Sequence, residues 1–404
     1  MRWGALIACL FMGGLILIVT LGDRLSQLKP AAARLIAPWN AAARVAYANE
    51  ALQEDTPQMQ EAISELRRAL QSDPLAPQAL SLLAQTYEVA GAAADAFSAW
   101  EWAARVSLRD GVAQAVLIER DLKRGRVAEA IRRLDILFRG DPQTGLVLLQ
   151  KLTPLLNDRP FLEALALQLE GSPPWREVML KALSRSPGSQ SDLVLDVYWR
   201  LQRGAAPPTE DEVRPLLARL VDEGRFEEAY IFWLESGRRD QRANDEFLYN
   251  ARFQAPVSNL PFDWTFDATP GANVQVKRAG ARRTLTVEFF GSRLGFENVS
   301  QWLLLPPGDY TFSGLEQAES VASDRGVRWR IACPENMGGD LATTPPLTGT
   351  IVWREFATTF TVPPTCRAQR LVLEVPARVV LERVISGSVS YSTLSLRRQP
   401  VAAP

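Results

Sequence analysis

Residues 80–106 read LSLLAQTYEVAGAAADAFSAWEWAARV, and this stretch decides the fold of the first half of the chain. Apolar side chains recur at i, i+3, i+4 and i+7, the spacing of one helix face, and they are Leu80, Leu83, Ala84 and Tyr87. Gly91 follows as a residue that tolerates the left-handed turn at a helix end. A second helix is expected after it, with an inner face of Ala96, Trp100 and Ala103. The stretch therefore predicts two helices joined by a tight turn.

The pattern repeats every 34 residues. Equivalent positions carry the same residue, as in Ala62, Ala96 and Ala130, and in Gly91 and Gly125. Pro74 and Pro142 lie two periods apart and are predicted to stop the second helix of a pair, because proline cannot continue its hydrogen bonds. A fixed period of this length indicates stacked helical pairs.

At these residues the chain resembles the tetratricopeptide repeat (TPR) family. The signature is matched over one full repeat and, less completely, over its neighbours, so the resemblance covers about residues 39–142. Residues 224–229 (GRFEEA) are similar to residues 125–130 (GRVAEA), so helical pairs are expected to continue. Residues 143–215 depart from the pattern and are expected to be helical without a countable repeat. A TPR-like α-solenoid is therefore predicted over residues 39–252, and the resemblance implies that it binds a protein partner.

Near residue 253 the sequence changes to short alternating or β-branched segments separated by turn signals. Eight or nine strands are predicted, from residues 273–276, 284–289, 302–304, 310–312, 327–331, 350–353, 357–362, 370–375 and 388–396. Many strands without intervening helices predict a two-sheet β-sandwich over residues 253–398, followed by a disordered tail at 399–404. The expected fold class is therefore multidomain, α then β.

The strand layout of this second part resembles the galactose-binding-like jelly rolls of carbohydrate-binding proteins. The local matches are residues 262–264 (FDW), 305–310 (LPPGDY) and the closing segment 388–396. The resemblance implies a carbohydrate-binding module, but it transfers no ligand residue to this chain.

The first residues form an uncharged apolar run at 4–22, with Arg2 before it and Asp23 and Arg24 after it. A helix of roughly 20 apolar residues spans a bilayer. We predict a transmembrane signal-anchor at 1–24, contacting the membrane through residues 3–22, and a linker at 25–38. The alternatives are a cleaved signal peptide and lipidation at Cys9. Lys and Arg flank both ends of the run, so charge leaves the orientation ambiguous.

The two remaining cysteines are Cys333 and Cys366, both in the strand-rich part. They are predicted to form a disulfide, the alternative being two separate buried thiols. Because disulfides persist in oxidising compartments, this pairing favours a single-pass protein of a bacterial inner membrane with its body in the periplasm.

Composition excludes several kinds of chemistry. The chain has no histidine, which removes the usual general base, the Ser-His and Cys-His pairs and the commonest metal ligand. Lys and Arg total 45 against 46 Asp and Glu, so no basic field would attract nucleic acid. Two carboxylate pairs, Glu316 with Glu319 and Asp263 with Asp267, are predicted to be solvated rather than catalytic. We therefore expect no enzyme, no cofactor and no metal site.

Tryptophans are the natural candidates for sugar binding, because an aromatic face can stack on a pyranose. Among Trp264, Trp302, Trp329 and Trp353, the predicted glycan contacts are Trp302 and Trp353, and each could equally be core. Trp329 shares a strand face with Ile331 and Cys333 and is predicted to be internal. The neighbouring polar candidates are Asn298, Gln301, Arg328 and Arg330.

The sequence thus favours a membrane-anchored, non-enzymatic scaffold of the bacterial envelope. Its helical repeats would bind a protein partner, and its sandwich would bind a glycan or a second protein. A role in assembly or export of a surface polysaccharide follows by analogy. The alternative is a pure protein–protein scaffold without a sugar site.

Overall fold

The computed structural model describes residues 28–54, 58–237, 247–279, 282–334, 339–377 and 379–400. It divides into two compact units: unit 1 runs to Arg176 and includes Gly188–Gln190, and unit 2 comprises Glu177–Pro187 and the chain from Ser191. Within the described ranges, no helix combines the length and the apolar character needed to cross a membrane. The predicted anchor at 1–24, including Cys9 and the contact segment 3–22, lies outside those ranges.

Thirteen α-helices are formed by the described residues. They are α1 (Pro30–Ile36), α2 (Ala41–Gln53), α3 (Met59–Ser72), α4 (Pro77–Val89), α5 (Ala93–Val106), α6 (Gly111–Lys123), α7 (Val127–Gly140), α8 (Pro142–Lys151), α9 (Arg159–Glu170), α10 (Arg176–Arg185), α11 (Ser191–Gln202), α12 (Glu210–Asp222) and α13 (Phe226–Glu235). Short 3₁₀ helices occupy Thr153–Asn157 and Val380–Arg383.

The 34-residue period corresponds to successive helical pairs in unit 1. In the pair α4–α5, the predicted inner faces are buried, with Leu80 and Trp100 each only 1% exposed. Gly91 and Gly125 have positive φ angles of 74° and 70° at equivalent turns, and Gly224 in unit 2 has 72°. A residue with a side chain is disfavoured there, which explains why the glycine recurs.

The prediction that Pro142 stops the second helix of a pair is confirmed, because α7 ends at Gly140 and a proline at 142 cannot continue its hydrogen bonds. Pro142 is also the first residue of α8. Asp141 caps α8, its carboxylate accepting a hydrogen bond from the Thr144 N–H at 3.1 Å. Proline is well suited to this first position, since its missing N–H would have no helical partner there.

The described residues of unit 2 form ten strands in two antiparallel sheets. They are β1 (Thr265–Phe266), β2 (Ala272–Ala279), β3 (Arg282–Arg293), β4 (Val299–Leu303), β5 (Gly308–Ala322), β6 (Arg328–Ala332), β7 (Asp340–Thr343), β8 (Gly349–Val362), β9 (Gln369–Glu374) and β10 (Val384–Arg398). Sheet A has the order β1-β4-β9-β6-β7, and sheet B has the order β2-β3-β10-β5-β8. The segments predicted at 350–353 and 357–362 are one strand, β8, and the sequence did not predict β1 or β7.

One apolar core lies between the two sheets, so they form a β-sandwich. It includes Trp329 and Leu371 from sheet A, and Val287, Phe312 and Tyr391 from sheet B. Apolar residues pointing inward on alternate positions of both sheets produce this arrangement.

Cys333 and Cys366 are joined by a disulfide, with their Cα atoms 5.7 Å apart. Cys333 directly follows β6 and Cys366 precedes β9, and these two strands pair in sheet A. The bond therefore links the ends of neighbouring strands. Beyond it, Gln399, in the predicted disordered tail, donates from its backbone N–H to Asp309 at 2.8 Å, and residues 401–404 lie outside the described ranges.

The prediction of solvated carboxylates was wrong for Asp263 and Glu316. Asp263 is fully buried, and its carboxylate accepts hydrogen bonds from the backbone N–H groups of Ser258 and Trp264. Glu316 points inward from the middle of β5, is 2% exposed and pairs with Arg354 at 2.8 Å. β5 is 15 residues long, so Glu316 is in a strand interior and not near a turn.

Replacing Arg354 with alanine should destabilise unit 2 more at pH 7.5 than at pH 4. Burial raises the pKa of Glu316, and the Arg354 guanidinium partly opposes that rise. A carboxyl with a raised folded pKa contributes stability that is complete below its unfolded pKa and is lost as pH rises through the folded pKa. Without Arg354 the buried charge is uncompensated, so we expect a loss of about 2 kcal/mol at pH 7.5, moderated because Arg354 is half exposed.

Denaturant unfolding of the full chain at both pH values measures this difference. Lys277→Ala is the matched control, because Lys277 pairs with Glu288 at an exposed site of the same sheet and should cost less than about 0.5 kcal/mol at either pH. An Arg354→Ala loss that is the same at both pH values would contradict the assignment.

Candidate functional site

The outer face of sheet A is covered within unit 2 by aromatic side chains of α13. Phe226 lies with its ring centroid 5.2 Å from that of Trp302. Tyr230 contacts Phe262 in the segment that precedes β1, with centroids also 5.2 Å apart. Trp302 is consequently half-buried against a helix, and its ring serves the packing of unit 2.

Gln301 and Asn298, two of the predicted polar candidates, are engaged in the same region. The Gln301 side chain donates to the Tyr249 carbonyl and accepts from the Tyr249 N–H, both at 3.1 Å. The Asn298 backbone carbonyl accepts a hydrogen bond from the Asp267 backbone N–H at 2.9 Å. The Asn298 side-chain oxygen accepts one from the Glu297 backbone N–H. Gln301 is buried, so it holds the segment before β1 onto sheet A.

Arg328 and Arg330 lie side by side on the outer face of β6 and share one carboxylate. They donate to the two oxygens of Glu374 at 2.8 and 2.6 Å. Arg330 also lies within ion-pair distance of Asp340 and Glu297. These guanidiniums are therefore neutralised within sheet A.

The outer face of sheet B has a different composition. Across its neighbouring strands, Gln275 pairs with Thr286, Thr286 pairs with Ser390, and Ser390 pairs with Gln317. The hydroxyls of Thr286 and Ser390 are 3.0 Å apart. Four adjacent strands thus contribute a continuous row of amide and hydroxyl groups, all of them able to donate and accept hydrogen bonds.

Trp353 stands at the end of this row. The pairing of β5 with β8 shifts between Glu316↔Arg354 and Ala318↔Ile351, so two residues of β8 oppose Gln317. A bulge of this kind re-aims side chains, and it leaves Trp353 on the outer face, 40% exposed. The predicted candidates are therefore divided: Trp353 lies on sheet B, and the other five lie on or beside sheet A.

A second row runs parallel to the first. Asn273 pairs with Glu288, Glu288 with Ser388, and Ser388 with Glu319. Three short polar side chains of this face are buried, namely Thr284, Thr286 and Ser392. Together the two rows, called here the sheet B face, present hydroxyls, amides and carboxylates around one exposed indole.

Apart from Trp353 and Glu319, which was considered only as a solvated carboxylate, the residues of the sheet B face were not among the sequence candidates, because those lie near tryptophans along the chain. The missed residues come from four strands that are distant in sequence. One signal was available, because Ser386, Ser388, Ser390 and Ser392 alternate with apolar or glycine positions in the closing segment. That alternation marks a polar outer face.

Unit 1 contains a separate candidate surface between the α4–α5 turn and α6. A depression of about 340 Å³ is lined there by Glu88, Ala96, Val116 and Arg120, among others. Arg120 lies over the Phe97 ring at 4.1 Å, and Arg124 lies over the same ring at 5.2 Å. Burial and the neighbouring Arg124 charge lower the pKa of Arg120.

No group of three or more His, Cys, Asp or Glu side chains within the described ranges is arranged to hold a metal ion.

No protein-family model matches the chain, and no curated protein matches it. Among solved structures, "CBM4 structure and function" is 16% identical and covers 38% of this chain and 99% of its own, with a TM-score of 0.29. TmCBM61 in complex with β-1,4-galactotriose is 14% identical over 38% of this chain and 99% of its own, with a TM-score of 0.24. YrrB, a TPR protein with an unusual peptide-binding site, is 16% identical to this chain. The match covers 54% of this chain and 94% of YrrB, with a TM-score of 0.26.

The structural neighbours thus include TPR proteins over the helical part and carbohydrate-binding modules over the β part. These are the two families that the sequence resembles, and the likeness is one of fold.

Proposed function

We propose that this chain is a non-enzymatic binding protein whose sheet B face binds a glycan. The observation that carries the proposal is the in-register row of Gln275, Thr286, Ser390 and Gln317, which ends at the exposed Trp353. Hydroxyl and amide side chains can exchange hydrogen bonds with sugar hydroxyls. The indole supplies an apolar face for a pyranose ring.

The dimensions of the row favour an oligosaccharide over a single sugar. It crosses five strands, and four inter-strand spacings of about 4.8 Å give roughly 19 Å. The parallel row through Glu288 and Glu319 widens the polar surface. An extended chain would contact both the hydrogen-bonding centre and the tryptophan at the edge.

The proposal assigns the helical repeats to a protein partner and the apolar run at 3–22 to a membrane. The run has the length of a bilayer span, and the disulfide suits an oxidising compartment such as the bacterial periplasm. In that setting the protein would be an accessory scaffold in the assembly or export of a surface polysaccharide. Deletion of the gene should then change the amount or chain length of that polysaccharide.

Glycan-array binding by the full chain in a mild detergent tests the glycan proposal. Trp353→Ala should weaken the binding about tenfold, which corresponds to losing about 1.4 kcal/mol of contact energy. Trp102→Ala is the matched control, since Trp102 is also a partly exposed tryptophan, 48% against 40%, but lies on α5 in unit 1. The Trp102→Ala variant should bind glycan as strongly as the unmodified chain.

Gln317→Ala provides a second, independent variant. Gln317 neighbours Trp353 on the sheet B face, and its replacement removes only a polar group. It should also weaken glycan binding while the unfolding midpoint stays unchanged. A folded chain that retains no glycan on the array would contradict the proposal and favour a pure protein–protein scaffold.

A further inference from the structure

Unit 1 carries exposed apolar side chains around its first helix. Leu28 is 79% exposed, Leu35 76%, Trp39 53% and Ile36 41%. These four residues, called here the α1 patch, lie within twelve consecutive positions. Single exposed apolar residues are ordinary, but large apolar side chains close together mark an interaction surface.

The α1 patch is presented by a helix whose other face is fastened to unit 1. Ala33 and Ala37 are fully buried on that face. The Arg34 guanidinium pairs with the buried Glu65 at 3.2 Å and lies 3.9 Å from the Tyr47 ring centroid. The patch is therefore the outward side of an element held by packing and by charge.

The chain segment that carries the patch is rich in basic side chains, and two carboxylates of α3, Glu61 and Glu65, pair with Arg34. Residues 24–49 contain four Lys or Arg and no Asp or Glu. Arg34 and Arg44 are both bound to Glu65, whereas Lys29 is exposed and has no ion pair within the described ranges. An exposed lysine beside a tryptophan and aliphatic residues is the combination found where proteins meet lipid headgroups.

Chain connectivity limits where the patch can be. The apolar run ends at Gly22, and residues 23–27 separate it from Leu28. Five residues, even fully extended, span at most about 18 Å. The patch therefore stays close to whatever surface receives the end of the run.

We infer that the α1 patch docks on the bilayer surface, with Leu28, Leu35 and Trp39 in the interfacial layer. This inference rests on the proposed membrane anchor at residues 3–22. The occupant is a lipid surface, because the patch combines apolar side chains with Lys29, which has no ion pair among the described residues, and is separated from the end of the apolar run by five residues. Its consequence is that unit 1 is held against the membrane and not suspended from a free linker.

A fluorescent probe at position 35 tests the docking in full-length protein reconstituted into phosphatidylcholine vesicles containing phosphatidylglycerol. Leu35→Cys is labelled in a Cys9→Ser background, where Cys333 and Cys366 remain disulfide-bonded. Leu75→Cys in the same background is the matched control, because Leu75 is a similarly exposed leucine, 66% against 76%, in a turn of the same unit. Iodide in the buffer and brominated lipid in the bilayer serve as the two quenchers.

The probe at position 35 should be quenched by brominated lipid and should show iodide quenching about threefold weaker than the probe at position 75. If both probes respond equally to iodide, the docking is overturned while the anchor stands. Protection from iodide without quenching by brominated lipid would mean that protein covers the patch, which also overturns it. Release of the whole chain by alkaline carbonate would instead show that the anchor itself fails, and the docking with it.

Discussion

Replacing Trp264 with alanine is expected to destabilise unit 2 by about 4 kcal/mol, the range for truncating a buried tryptophan. Trp264 is fully buried between Phe253 and Trp329, with ring centroids 5.2 and 5.8 Å away. Its indole N–H donates to the Asn250 carbonyl at 3.1 Å. Alanine would leave a cavity in the sandwich core and remove that hydrogen bond, which ties the segment before β1 to the core.

A matched pair of variants separates the cavity from the hydrogen bond. Trp264→Phe and Trp329→Phe remove similar volume from two adjacent, buried positions. The Trp329 indole N–H has no acceptor within the described ranges, so only Trp264→Phe loses a hydrogen bond. We expect it to cost about 1 kcal/mol more than Trp329→Phe.

Chemical denaturation of the full oxidised chain, followed by circular dichroism, measures both differences. A Trp264→Ala loss below about 2 kcal/mol would contradict the core position of this residue, given the usual cost of such truncations. Equal costs for the two phenylalanine variants would contradict the role of the Asn250 hydrogen bond.

Removing the disulfide should cost about 3.5 kcal/mol, which is the second large effect. The two cysteines are 33 residues apart, and closing a loop of that size restricts the unfolded chain by about that amount in the chain-entropy model. We choose Cys333→Ala with Cys366→Ala, because both side chains are buried and alanine introduces no polar group.

Unfolding of this double variant is compared with unfolding of the unmodified chain in the presence and absence of reductant. Reductant should lower the stability of the unmodified chain and leave the double variant unchanged. If the double variant matches the oxidised chain, the disulfide contributes nothing to stability and the loop argument is wrong.

The helical repeats were predictable because their determinants are local. The inner face of α4 and the turn at Gly91 are specified within one 34-residue segment, by side-chain spacing and by a glycine with positive φ. Pro142 shows the limit of such reasoning. The proline correctly predicted the end of α7, but proline also suits the first residue of a helix, and the start of α8 at Pro142 was not predicted.

The strands were predictable as segments, but their pairing was not. Sequence marked most strands by alternation, yet it divided β8 into two and missed the short β7. Both errors concern residues whose strand conformation depends on hydrogen bonds to a distant segment. Register between such segments is set by the buried face of the whole sheet.

The candidate site illustrates the same distinction. Trp302 and Trp353 looked alike in sequence, as aromatic residues in strand-like segments. In the structure Trp302 packs under Phe226 of α13, whereas Trp353 is turned outward by the bulge opposite Gln317. Neither outcome could be read from neighbouring residues, because each depends on a partner far along the chain.

The sequence by itself determined the two-part organisation, the repeat period and the paired cysteines, since each is written in composition or short-range spacing. Only the tertiary structure decided which polar groups stand together. The row from Gln275 to Trp353 is drawn from five strands of sheet B, and its members become neighbours only when those strands pair in register. Short-range patterns specify faces, and long-range backbone hydrogen bonds decide which faces join into one surface.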